Sequence, residues 1–355
     1  MQPILKNLPN QTSSIHLLII HTWGLGDLIL LTPVINVIHQ QYPHLQVSFL
    51  FFQSNAAAPI KRAPWLKEIH YCRLKVFQLV RMVMRLRNFR FEISMVSSGV
   101  TPWKAGLLQL FLRSGLKVNE YGHIPLPYIS GKVRFNPALS RTQSNYRLLE
   151  SVLRLPGWAQ ISADPIAANL LPTYFLSKAD CAFADEYYAQ HNPEGKRTLG
   201  VHPGCLAKNS YRRWPVEYFI QLLRMIQQTY DHQIIVIAGP DEQREGEQIH
   251  QAVPSLLLSG ESLDHVAAII SKLDCFINTD SGLGHIAACF RIPSLTLFGA
   301  GDARQTAPFS DTARVIHYEM DCAPCAGKKS RSCAAECMKL LTPELVFAQL
   351  RSVLA

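Results

Sequence analysis

The chain has 355 residues, 48% apolar and 17% charged, a balance that excludes a disordered or fibrous protein and leaves room for two ordinary domains. No apolar run reaches the roughly 18 residues of a spanning helix. The start, MQPILKNLPNQTSS, lacks the basic, apolar and small-residue regions of a signal peptide, so a cytoplasmic protein is expected.

The net charge of +9 hides an asymmetry. Residues 1–175 carry 18 Lys and Arg against 6 Asp and Glu, whereas residues 176–355 carry 17 against 20. The basic half predicts an anionic partner, a membrane or a phosphorylated glycan, and no nucleic-acid module is present. A solvated basic face with no specific partner accounts for the same counts.

Taken in order, Ile15–Ile20 has the length of a buried parallel strand. Gly24 and Gly26 then allow a tight turn, and Asp27 opens a helix whose apolar positions are Leu28, Leu31, Ile35 and Ile38. Asp27 in that place either caps the helix or serves as a base held ionised by the helix N-terminus. Further strands are predicted at Val47–Phe52 and Glu92–Ser97. Between them, Val76, Leu79, Val80, Val83 and Leu86 repeat at helical spacing, beside Arg81, Arg85 and Arg87. Such a basic amphipathic helix suits either an anionic membrane surface or a core face with a solvated basic side.

A Pro- and Gly-rich stretch around 156–172 marks the expected boundary, giving domains 1–170 and 171–340 with a terminal helix, 341–355, that packs back toward the first domain. The second half repeats the alternation. Strands are predicted at Thr198–His202, Ile234–Ala238, Leu256–Leu258, Cys275–Asn278 and Ser294–Phe298. Helices are predicted at Val216–Tyr230, Asp241–Ala252, Ser262–Lys272 and Thr342–Leu354. Alternating strands and helices define an α/β protein with parallel sheets.

Three stretches here carry candidate binding chemistry. Lys208, Arg212 and Arg213 precede a Trp-Pro helix start and suit a diphosphate. Asp241 and Glu242 follow a strand at a helix start, where a carboxylate either favours the helix dipole or accepts from a sugar hydroxyl. Thr279, Asp280, Ser281, Gly282 and His285 crowd the turn between a strand and a helix, where open α/β sheets bind anions. His285 suits either a donor to phosphate or a satisfied core histidine.

The stretches GLGDLILLTP, VHPG with RRWPVEYF, AGPDE, NTDSGLGHIAA with LFG, and the Gly-Asp-x-x-x-Thr-x-Pro run from Gly301 to Pro308 stand in order along the chain. In order and spacing they resemble the ADP-heptose:lipopolysaccharide heptosyltransferases, glycosyltransferase family 9, from about residue 15 to 353. The resemblance implies a GT-B fold, two Rossmann-like domains with parallel sheets facing a central cleft. It also implies inverting transfer of a heptose from a nucleotide-sugar, ADP-heptose, to a lipopolysaccharide-core acceptor without a required cofactor. Asp27 matches the family's base, with Gly24 and Gly26 in the acceptor-side loop. Arg212 falls where the family carries a phosphate-binding Lys, with Lys208 and Arg213 sharing the role. Glu242 matches the nucleoside contact, and Asp280, Ser281, Gly282 and His285 match the donor loop. The partners implied are a nucleotide-sugar and an anionic glycolipid or phosphorylated glycan, met at the inner face of the cytoplasmic membrane.

Two other readings share the scaffold: transfer of another sugar to a different surface glycan, and non-catalytic nucleotide-sugar or glycan binding. A dinucleotide-binding oxidoreductase is disfavoured, because Ile29 stands where the third fingerprint glycine belongs. Finally, Cys322, Cys325, Cys333 and Cys337 have C-x2-C-x7-C-x3-C spacing. That spacing is compatible with a structural zinc, with disulfides, or with free thiols.

Overall fold

A computed structural model describes residues 14–52, 57–73, 75–99, 103–122, 126–165, 168, 170–325 and 333–354. The chain divides into two compact units, Met1–Phe175 and Leu176–Ala355.

The first unit holds β1 (Ile15–His21), β2 (Leu45–Phe51), β3 (Leu66–Tyr71), β4 (Phe91–Val96), β5 (Ser114–Tyr121) and β6 (Gly131–Arg134). They pair in the order β3-β2-β1-β4-β5-β6, all parallel. The second unit holds β7 (Thr198–His202), β8 (Gln233–Ala238), β9 (Leu256–Ser259), β10 (Cys275–Thr279), β11 (Ser294–Phe298) and β12 (Ala313–His317). Their order is β12-β11-β10-β7-β8-β9, again all parallel. Counted from its own first strand, each sheet therefore reads 3-2-1-4-5-6, the doubly wound order of dinucleotide-binding folds. The order reverses between β1 and β4 in one unit and between β7 and β10 in the other. Loops leaving the carboxyl ends of those strands are where such sheets bind ligands.

Central strands of parallel sheets are covered on both faces, which explains why they read as continuous apolar runs. β1, β7, β10 and β11 are buried at every position. β1 also buries two histidines, and burial lowers the pKa of both His16 and His21. His16 Nε2 lies 2.9 Å from Ser48 Oγ, and His21 Nδ1 lies 3.1 Å from Ser97 Oγ.

The expected helix from Asp27 through Ile38 is two helices, Leu25–Ile29 and Thr32–Gln41. Pro33 explains the break, since its ring clashes with the carbonyl four residues earlier and it has no N–H to offer. The Ile29 carbonyl instead accepts from Thr32 Oγ1 at 2.8 Å. Strands β3 and β12 have no counterpart in the sequence expectations, and β5 and β6 fall within residues 101–154, where the sequence suggests only short extended pieces; all four carry intermediate or exposed positions that interrupt the apolar run. The terminal helix Pro343–Leu354 puts Val346 and Leu350 into the core of the second unit with Trp214, Phe219 and Leu297. Trp214 Nε1 donates to the Leu341 carbonyl at 2.7 Å, tying that helix's approach to the loop after β7.

Candidate functional site

In the second unit the polar residues converge at the reversal between β7 and β10. Thr279, at the end of β10, donates through Oγ1 to the Gly204 carbonyl beyond β7 at 2.7 Å, locking the two strand ends together. The next residue, Asp280, is 8% exposed and accepts from Arg212 Nη1 at 2.9 Å. The space for that carboxylate exists because residue 301 is glycine: a Cβ there would lie 2.3 Å from Asp280 Oδ2.

Arg212 and Arg213, indistinguishable in sequence, have different surroundings. Arg213 is locked in place, donating to Glu245, to the Cys205 carbonyl at 2.8 Å and to the Asp241 carbonyl at 2.7 Å, with Glu242 Oε2 4.0 Å away. Arg212 bonds Asp280 through Nη1 and keeps a half-exposed side chain; Nε lacks a partner in both arginines, so the difference lies at the terminal nitrogens, both of which Arg213 commits. Arg212 is therefore the guanidinium with donors to spare for a diphosphate. Lys208 stands exposed on the turn Ala207–Arg212, outside this ion-pair network.

Helix Gly282–Cys289 begins beside Asp280. Ser281 occupies its N-cap with an extended backbone, yet its side chain makes no cap bond, and its Oγ is screened from solvent without a partner. A capping serine ordinarily satisfies one of the first helical N–H groups. Here both the hydroxyl and those N–H groups are left for an anion, which the helix N-terminus favours. His285 lies one turn further in and is buried.

Glu242 is buried at the N-cap of helix Gln243–Ala252, and its carboxylate does not cap that helix. It turns back to accept from the Gly239 N–H at 3.0 Å and lies 3.6 Å from His202 Nε2. His202 Nδ1 donates to the Ile237 carbonyl at 2.9 Å, and burial lowers the imidazole pKa against the pull of Glu242.

In the first unit, Asp27 sits in the first turn of helix Leu25–Ile29, whose N-cap is Gly24, and the helix has no side-chain cap bond. Asp27 Oδ1 is instead 3.5 Å from Arg141 Nε. Arg141 also lies over the Trp23 ring, 5.2 Å from its centroid. Gly99, at φ +115°, closes this group from the end of β4: a Cβ there would meet Arg141 Nη1 at 2.6 Å and Trp23 at 2.9 Å. The Gly99 N–H donates to the buried Glu120 at 2.5 Å; burial raises the Glu120 pKa, with the Gly99 bond and Arg141 opposing. Of these, only Asp27 and the two loop glycines were legible in sequence. Arg141, Gly99 and Glu120 arrive from three distant segments and belong to no local motif.

The four cysteines lie at and before helix Glu336–Lys339, with Cys337 buried against Gly299 and in the second unit's core. Burial pushes the Cys337 thiol up, and the neighbouring Cys325, Cys333 and Cys322 add to it. Among the described residues, however, no three His, Cys, Asp or Glu side chains stand close enough together to hold an ion. The tetrahedral set that the spacing allows is thus not assembled in this arrangement.

Two doubly wound sheets, each with polar residues at its reversal point, define a protein of the GT-B fold class. The glycosyl transferase family 9 protein of Veillonella parvula has this fold with a TM-score of 0.78 at 15% identity, covering 98% of this chain and 99% of that one. ADP-heptose lps heptosyltransferase II of Escherichia coli matches with a TM-score of 0.73 at 17% identity, covering 96% and 98%. The family model of glycosyltransferase family 9 (heptosyltransferase) matches residues 159–336, half the chain, and the chain belongs to that family. Lipooligosaccharide heptosyltransferase 2 of Campylobacter jejuni is 30% identical over 167 residues, 45% of this chain and 52% of that protein. The match thus spans about half the length of that curated relative.

Proposed function

We propose that this chain is an inverting glycosyltransferase moving a heptose, or a related sugar, from ADP-heptose to a lipopolysaccharide-core acceptor. The observation that carries this reading is the half-exposed Arg212, paired with Asp280 beside a helix N-terminus that has no side-chain cap, with Ser281 Oγ lacking a partner. That constellation suits a diphosphate, and membership of a heptosyltransferase family supports a nucleotide-sugar as the donor.

In this reading Asp27 takes the proton of the acceptor hydroxyl as that oxygen attacks the anomeric carbon. The carbon–oxygen bond to the diphosphate breaks, and its electron pair leaves on the nucleoside diphosphate. Arg212 and the first N–H groups of helix Gly282–Cys289 stabilise that charge electrostatically, so the step needs no metal. Asp280 holds Arg212 in place, while Glu242, Thr279 and His285 line the donor side. Lys208 and Arg213 contribute positive potential, Arg213 from within its own network. Gly24 and Gly26 keep the acceptor loop tight.

An acceptor of this kind is an anionic glycolipid, so the reading includes a peripheral encounter with the inner face of the cytoplasmic membrane. A structural zinc at Cys322, Cys325, Cys333 and Cys337 would require the thiolates to close together on the ion. About one zinc per chain by elemental analysis would support it, and none with four titratable thiols would remove it.

The test is incubation of the purified chain with ADP-heptose and a core acceptor lacking its outer heptose. The expected result is an acceptor heavier by one heptosyl unit together with free ADP. ADP-heptose should also raise the melting temperature, since a ligand stabilises the state that binds it. No stabilisation by ADP-heptose, with clear stabilisation by a different nucleotide-sugar, would move the donor assignment.

A further inference from the structure

Helices Val76–Leu86 and Trp103–Phe111 cover one face of the first sheet side by side. Their inward residues Met82, Leu86, Ala105 and Leu108 join Leu18, Ile20, Phe91 and Val96 in the core. Amphipathic surface helices place charged and polar residues on the opposite side. These two do not. Phe77 is 77% exposed, Met84 67% and Trp103 68%, and Val80, Leu107, Leu110 and Phe111 are exposed as well. Positions 77, 80 and 84 share one side of their helix, and 103, 107, 110 and 111 share one side of theirs. Single exposed apolar residues are ordinary, but two adjoining rows of large ones mark an interaction surface.

The charge around these rows identifies what they meet. Arg73, Lys75, Arg81, Arg85, Arg87, Arg90 and Arg113 are all exposed. Between Arg73 and Arg113 the sequence has one acidic residue, Glu92, and its carboxylate is turned inward to accept from the His16 N–H at 2.7 Å. Along this segment the surface is thus apolar and cationic, with no fully exposed acidic side chain. A second copy of the chain would bring like charges face to face, which disfavours self-association. An anionic bilayer supplies both complements, phosphates for the arginines and an acyl boundary for the rings.

We infer that the paired-helix face docks onto an anionic lipid bilayer. Phe77, Met84, Trp103 and Phe111 enter the headgroup–acyl boundary, and Arg81, Arg85 and Arg87 meet lipid phosphates. None of these residues is among those assigned to transfer; the inference deepens the membrane encounter of the proposed function by naming its surface, and vesicle binding without donor or acceptor tests it apart from that function. Among the described residues no helix is long and apolar enough to cross a membrane, so the contact is peripheral.

The experiment is flotation of the full chain with extruded vesicles, without donor or acceptor. One set contains phosphatidylethanolamine with phosphatidylglycerol and the other phosphatidylcholine alone. The expected result is binding to the anionic vesicles that weakens with added salt, as screened charges require. Phe77→Ser combined with Trp103→Ser should lower the partition by about tenfold or more, given the apolar area withdrawn from the boundary. Arg81→Glu with Arg85→Glu should abolish the preference for anionic lipid. All four positions are exposed, so circular dichroism should report the same fold in every variant. Equal partition into both vesicle types, or no binding to anionic vesicles at low salt, would overturn the inference. So would a sedimentation shift from dimer to monomer in the Ser variant with its vesicle binding unchanged.

Discussion

At the end of β1 a single carboxylate, Asp27, stands 26% exposed with one guanidinium 3.5 Å away, whereas just past β10 Asp280 is 8% exposed and gripped at 2.9 Å. The two sheets share one strand order, so the fold does not cause this difference. Its cause lies in what the neighbouring loops bring. The second unit surrounds its carboxylate with a helix start, a glycine that makes room, and an arginine whose neighbour Arg213 is tied down separately. The first unit also has a helix start and a glycine, but there Gly99 makes room for the cation rather than the carboxylate, and that cation, Arg141, is shared with Trp23. A loosely held carboxylate can exchange its partner for a substrate proton; a tightly held one is a fixed element of a binding site. In the proposed function the same scaffold therefore carries a reactive role at one reversal point and a holding role at the other.

The comparison is tested most severely at Asp27. Asp27→Ala should lower turnover by about 10²–10⁴-fold, the usual contribution of a general base, while nucleotide binding measured by calorimetry stays unchanged. Comparable turnover in the variant would remove the distinction between the two carboxylates. Next in size is Arg212→Ala, which leaves Asp280 buried without its cation. Breaking a buried pair costs about 3–5 kcal/mol, and the half-exposed arginine puts this case at the lower end. Urea unfolding should show the loss, and nucleotide affinity should fall with it. Arg212→Lys should recover stability better than affinity, because an ammonium keeps the charge but not the fork.

A smaller effect is expected at Arg141. Without it Asp27 loses its orientation, and turnover should drop by about 10–100-fold with nucleotide affinity intact, since small misplacements of a reacting group carry that penalty. A loss of nucleotide affinity instead would mean that Arg141 serves binding.

Mild acid should act on both units together. Burial lowers the pKa of His21 in the first unit and of His202 in the second below the ordinary 6.5. Burial likewise lowers His16, His70 and His232. Below about pH 6.5 the unfolded chain binds protons that the folded one refuses, so stability should decline as pH falls from 7 toward 5. Glu120, raised by burial, has the opposite slope, but it is one group against five. Urea midpoints across that range would check the sign, and a flat profile would contradict it.

The sequence by itself determined the α/β class and the central strands β1, β7, β10 and β11, because residues covered on both faces must be continuously apolar. It also determined which residues crowd the turn after β10, since Thr279 through His285 are contiguous. The peripheral strands β3 and β12 were hidden, and β5 and β6 only suggested, because their partly exposed positions break the apolar signal. The tertiary structure alone decided that Arg212 rather than Arg213 faces Asp280, a choice that depends on where Glu245 and the Asp241 carbonyl lie. It alone brought Arg141 to Asp27 across more than a hundred residues of chain and left Ser281 uncapping its helix. It also left apolar rows facing outward on two helices; on Val76–Leu86 the periodic set did not include the exposed Phe77 and Met84, and on Trp103–Phe111 no row was read from the sequence. Local pattern fixes what a segment becomes; long-range packing fixes which side chains meet, and the chemistry resides in those meetings.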